Sequence, residues 1–156
     1  MLYELLKQNL IRLNVDAGTK EEAVRCVGRL MLDGGYIKPG YIDGMCEMAE
    51  TAAGYIVITR GVAMPHARPE YGVNRICAAI ITLRNPIPFG NPVNDPVKLV
   101  IALAATDHIS HLELMQDIAT VFDDEALVEK LKQAESETEL AELIKTKLEK
   151  GEDSYV

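Results

Sequence analysis

Two stretches, ICAAIITL (76–83) and VKLVIALAA (97–105), are apolar at nearly every position, so neither can turn one face to water. That is the pattern of central strands covered by helices on both sides. IRLNVDA (11–17) instead alternates apolar and polar residues, as a strand or extended segment does, and follows a short N-terminal helix. Helical spacing takes over at Thr19. Thr19-Lys20-Glu21-Glu22 has capping-box spacing, Val24, Val27, Leu30 and Met31 fall on one face, and Gly34-Gly35 stops the run. A second helix follows Pro39, turns Ile42, Met45, Met48 and Ala49 inward and ends near Gly54. YIVIT (55–59) then has the β-branched and aromatic content of a short strand, and VAMPH (62–66) reads as another, ending at Pro65.

Between the two apolar strands, RNPIPFGNPVNDP (84–96) is rich in Pro, Asn and Gly and predicts a surface hairpin or ordered loop. The C-terminal third is helical. Ser110-His111-Leu112-Glu113 and Ser136-Glu137-Thr138-Glu139 both match capping boxes, and Asp123 or Asp124 suits the cap of a helix through Lys132. Helices precede, flank and follow the strands without strict alternation. The expected fold is therefore α/β, a mixed β-sheet flanked by helices on both sides, formed by a single domain over residues 1–150 with a frayed tail at 151–156.

Composition narrows the partners. At 156 residues the chain is long enough to bury a core without metal or disulfide staples. Acids outnumber Lys and Arg 24 to 16, which argues against nucleic-acid binding. Cys26, Cys46 and Cys77 are isolated and lack Cys-x-x-Cys spacing, as suits reduced thiols in the cytoplasm. No stretch is apolar for long enough to span a membrane, and the N-terminus has no signal-peptide pattern, so no membrane insertion is expected.

The candidate chemistry centres on GVAMPHARPEYG (61–72). His66 begins a loop at a strand end, with Pro65 and Pro69 limiting the backbone around it. Arg68, two residues on, offers a planar fork suited to phosphate or carboxylate oxygens. His111 follows the strand VKLVIALAA and is expected at the first position of a capped helix, where backbone N–H groups and the helix dipole favour anions. If both strand ends open on one sheet edge, His66 supplies a nucleophilic nitrogen and His111 a stabilising one for a phosphoryl group. His108 makes a His-x-x-His spacing with His111, but no acidic or cysteine ligand stands at diagnostic spacing for zinc. The cysteines lack a Cys-x5-Arg phosphate loop, and GxxxxGK[ST], GxGxxG and GxSxG are absent.

GVAMPHARPEYGV together with DHISHLELMQDIATVFDDEALVEKL resembles the enzyme IIA components of the phosphoenolpyruvate-dependent sugar phosphotransferase system, mannitol and fructose class. AGYIVITRGVAMPHARPE is most similar to the ascorbate-specific branch of that class. The resemblance implies a phosphocarrier enzyme with His66 as the phosphorylated residue and His111 assisting. Phospho-HPr would be the donor and a cysteine of an enzyme IIB partner the recipient, serving a membrane permease, enzyme IIC, for ascorbate or a related sugar. No cofactor or metal is implied. The stretch CEMAETAAGY lacks the arginine that the mannitol branch carries in this helix, which shifts some of the anion support to Arg68, in the manner of the ascorbate branch, and Ala67 stands where the mannitol branch has Gly. Two alternatives stand beside this one: a phosphorylation-dependent regulatory module of the same fold, and a zinc-dependent hydrolase using the three histidines.

Overall fold

The computed structural model describes residues 1–153, with those at 8, 53 and 151–153 described by their backbone alone. Its centre is the antiparallel pair β4 (Cys77–Ile87) and β5 (Val97–Ala104). On one side β1 (Ile11–Val15) runs parallel to β4; on the other β3 (Val62–Ala63) runs parallel to β5 and pairs antiparallel with β2 (Val57–Thr59). The sheet order is β1-β4-β5-β3-β2, a mixed sheet with the two doubly apolar strands inside it.

Both faces of that sheet are covered. Ala79, Ile81 and Leu83 of β4, with Val100, Ala102 and Ala104 of β5, pack under α2 (Lys20–Asp33) and α3 (Pro39–Thr51). The alternate positions, Ala78 and Ile80 with Leu99, Ile101 and Leu103, face the opposite layer. That layer contains α1 (Leu2–Leu5), α5 (His108–Phe122), α6 (Glu125–Lys132) and α7 (Glu137–Asp153). Each buried Leu, Ile or Val contributes about 1.5–3 kcal/mol, so apolar side chains on both sides of these strands make two-sided covering the stable arrangement.

Four boundaries differ from those predicted. Tyr55 and Ile56 belong to a short helical turn, α4 (Ala53–Ile56), closed by their N–H groups on the Ala52 carbonyl at 2.9 and 3.2 Å, so β2 starts only at Val57. Tyr55 is 85 % exposed, and its β-propensity has no cross-strand partner to act on. The strand carrying VAMPH ends at Ala63; one more bond in the same register, from the Met64 N–H to the Ile56 carbonyl (2.6 Å), follows it, and Pro65 has no N–H to carry the pairing further. The helix expected to be capped at Ser110 begins one turn earlier. The Asp107 carboxylate accepts from Ser110 N–H at 2.8 Å and from the Ser110 hydroxyl at 2.9 Å. Finally, α7 continues to Asp153, into the segment predicted to fray, and residues 154–156 lie outside the described residues.

The 84–96 segment is a hairpin connection. β4 extends through Pro86, and the Asp95 carboxylate organises the tip by accepting the N–H groups of Phe89, Gly90 and Asn91 at 2.9–3.0 Å. It leads into the start of β5, leaving the carboxyl end of that strand free for the site.

Candidate functional site

β3 and β5 are adjacent and parallel, with Val62 opposite Leu99 and Ala63 opposite Val100, so their carboxyl ends open on the same sheet edge. The chain leaves β3 through buried Met64 and Pro65 to His66; it leaves β5 through Ala105 to α5. The strand order thus brings His66 and His111, 45 residues apart in sequence, to one place. Their ring centroids are 6.1 Å apart, with the planes tilted by 50°.

Each ring is set differently. His66 is half-buried, and its Nδ1 lies 3.0 Å from the Met64 carbonyl oxygen. A carbonyl can only accept, so Nδ1 carries the proton and the neutral ring keeps its lone pair on Nε2. His111 is the fourth residue of α5 rather than the first. Its N–H is already bonded to the Asp107 carbonyl at 3.2 Å, so its contribution to the site is the half-buried ring. Burial, and then the nearby imidazoles of His66 and His108, which disfavour a further positive charge between them, hold the His111 pKa below its ordinary value. The ring is therefore a neutral N–H donor at neutral pH.

His66 and His111 line a cavity of about 400 Å³ with Tyr41, Arg68, Asp107 and His108. Arg68 is exposed and makes no ion pair among the described residues, so its guanidinium is available at the mouth. The single carboxylate lining the cavity, that of Asp107, is occupied with Ser110. One guanidinium, three imidazoles and the start of α5 give this opening an anion-favouring character on a chain of net charge −8. A larger groove of about 480 Å³ between α6 and α7 lacks this character. It mixes Lys130 and Lys147 with Glu139 and Asp124, and Lys147 already pairs with Asp124 at 3.3 Å.

Tyr41 is the lining residue that helix periodicity did not single out. It is 1 % exposed, and its hydroxyl lies 2.7 Å from the Leu103 carbonyl and 3.1 Å from the Ala67 N–H. A tyrosine in the first turn of a helix, flanked by Gly40 and Gly44, is the one sequence feature that marks it. The cysteines stand elsewhere. None lines the cavity; burial pushes the Cys77 thiol up to about 12 and also raises those of Cys26 and Cys46, which removes the thiolate a nucleophile needs. Among the described residues no group of three or more His, Cys, Asp and Glu side chains gathers as a metal ion would require.

The chain as a whole is similar to known proteins. Residues 4–147 match the family described as "Phosphoenolpyruvate-dependent sugar phosphotransferase system, EIIA 2". The chain is 36 % identical over 141 residues to the ascorbate-specific PTS system EIIA component of Salmonella choleraesuis, covering 90 % of this chain and 92 % of that protein. Among solved structures, the mannitol-specific cryptic phosphotransferase enzyme IIA CmtB of Escherichia coli superposes with a TM-score of 0.83 at 32 % identity, over 92 % of this chain and 98 % of that one. The mannitol enzyme IIA of Escherichia coli, solved in complex with phosphorylated enzyme IIB, gives 0.80 at 27 % identity, over 90 % and 96 %.

Proposed function

Since the chain belongs to the EIIA 2 family of the phosphoenolpyruvate-dependent sugar phosphotransferase system, we propose that it takes a phosphoryl group from phospho-HPr onto Nε2 of His66 and delivers it to a cysteine of an enzyme IIB partner. The observation that carries this reading is the 3.0 Å contact of His66 Nδ1 with the Met64 carbonyl, which leaves the lone pair on Nε2 of a ring whose centroid is 6.1 Å from that of His111. In the first step that lone pair forms a bond to phosphorus as the P–N bond to the HPr histidine breaks. In the second, the IIB thiolate attacks, the P–N bond to His66 breaks, and its electron pair returns to Nε2. His111, neutral and able to donate, and Arg68, cationic at the mouth, offset the charge on the phosphoryl oxygens.

The similarity to ascorbate-specific EIIA components supports uptake of ascorbate or a related sugar through a membrane permease, enzyme IIC, with this chain working in the cytoplasm. The solved complex of a mannitol enzyme IIA with phosphorylated IIB supports the onward partner. No helix among the described residues is long and apolar enough to cross a membrane, which suits a carrier that shuttles between proteins.

The test is incubation with phosphoenolpyruvate, enzyme I and HPr, followed by intact mass and then addition of IIB. The wild-type chain should gain one phosphoryl group, labile in acid and stable in alkali as a phosphoramidate is, and lose it to IIB. His66→Ala should keep the fold and remain unlabelled, because a half-exposed loop imidazole supplies chemistry rather than packing. Undiminished labelling of that variant would defeat the assignment. Labelling without passage to IIB would favour a regulatory module.

A further inference from the structure

We propose that Tyr41 is a positioning residue for the transfer: its hydroxyl ties the peptide that follows His66 to the carboxyl end of β5 and so holds His66 at its working distance from His111. This role presupposes His66 as the phosphoryl acceptor. A phenol has one proton. The Leu103 carbonyl at 2.7 Å takes it, and the Ala67 carbonyl at 3.2 Å is the weaker competitor. Towards the loop the oxygen is therefore an acceptor, and it receives the Ala67 N–H at 3.1 Å. Leu103 lies near the end of the strand that leads into α5 and His111; Ala67 is the residue after His66. One buried oxygen thereby links the two segments that carry the two rings, 26 residues away along the chain from Ala67 and 62 from Leu103.

A second set of contacts fixes the same loop from below. A Cβ added at Gly40 would come within 2.9 Å of the Tyr71 carbonyl, and one at Gly44 within 2.7 Å of the Tyr71 ring and 3.0 Å of the Ala67 Cβ. The loop from His66 to Tyr71 thus lies flush on the first turns of α3, where only glycine leaves room for it. Burial pushes the Tyr41 hydroxyl up to about 12, so it stays protonated and the link persists through neutral pH. Removing the oxygen leaves the Ala67 N–H without this partner and frees the peptide beside the nucleophile.

The deciding variant is Tyr41→Phe, which keeps the ring in the core and deletes only the hydroxyl. Two readouts are needed: single-turnover transfer from phospho-HPr, resolved into a saturating rate constant and a half-saturating HPr concentration, and ¹⁵N spectra of the His66 ring in unphosphorylated protein. The rate constant should fall about tenfold with half-saturation within about twofold, since misplacing a reacting group costs rate rather than partner binding. The ring signal should lose part of its Nδ1–H tautomer. Ile42→Ala, a core truncation on the same helix, should lower the unfolding midpoint and leave the rate constant at the wild-type value.

A wild-type rate constant in Tyr41→Phe, or an equal rate loss in Ile42→Ala at a matched unfolding midpoint, would overturn the role. Should Tyr41→Phe fail to fold, Gly44→Ala displaces the same loop with the hydroxyl retained. It should show the same selective loss of rate, and wild-type transfer there would overturn the proposal. Absence of labelling in wild-type protein would defeat the acceptor assignment instead, and the ring spectra of the Tyr41 variant would still decide whether the hydroxyl orients His66.

Discussion

The two imidazoles of the candidate site are set differently because their surroundings differ. His66 is oriented by a backbone carbonyl, which selects its tautomer. His111 is kept neutral by burial and by its histidine neighbours. A phosphoryl group on His66 would bring roughly −1.5 to −2 charge to a position that otherwise repels protonation of His111, and would draw His111 towards its charged donor form. His111→Ala should therefore slow single-turnover transfer by about a hundredfold, the effect of losing ~3 kcal/mol of transition-state stabilisation, while His111→Gln keeps an N–H and should retain more. Equal, wild-type rates in both would leave His66 acting alone. The same residue has a pH signature. Its folded-state pKa lies below the unfolded value, so the unfolded chain binds the proton first. Stability should fall as pH drops through about 6.5 and level off below the folded pKa. Denaturation midpoints from pH 8 to pH 5 should fall less in His111→Gln than in wild type.

At the scale of elements, a helix start is legible in the sequence where a capping side chain accepts the N–H three residues on. Thr19, Asp124 and Ser136 each accept an N–H three residues on, at 3.0–3.2 Å. The return arm reaches one residue further back than the capping-box pattern: Glu22 accepts from Gly18 N–H at 2.7 Å and Glu139 from Glu135 N–H at 2.8 Å. At α5 two candidate caps lie within one turn of each other, and Asp107 prevails over Ser110 because its carboxylate bonds both the N–H and the hydroxyl of that serine. Asp107→Ala should lower the melting temperature by roughly 2–4 °C, the effect of losing a helix cap in a chain of this size. Ser110→Ala keeps the capping N–H bond and should cost clearly less. Similar losses in the two variants would show that the serine hydroxyl shares the capping role. The shift of one turn also leaves His111 with its ring, and no free backbone N–H, to offer the cavity.

For the molecule as a whole, a site that exchanges phosphoryl groups between proteins must be approached by two partners in turn, and the surface beside it is suited to that. Ile109 and Leu112 of α5 are 71 % and 48 % exposed on the helix that carries His108 and His111, an apolar rim next to a polar cavity. Ile109→Asp should raise the half-saturating HPr concentration several-fold, with the saturating rate constant and unfolding midpoint close to wild type; unchanged half-saturation would remove this rim from the docking surface. The two-sided strands at 76–83 and 97–105, most helix starts, and the Pro-flanked His66 with Arg68 nearby are legible along the chain. These are properties of periodicity, capping and backbone restriction that act within a few residues along the chain. The parallel, adjacent placing of β3 and β5, the 6.1 Å between the two histidine rings, and the reach of Tyr41 to Ala67 and Leu103 arise in the assembled fold. Such contacts depend on strand order and register, which no local pattern carries, because residues 26 to 62 positions apart meet only once the sheet has chosen its neighbours.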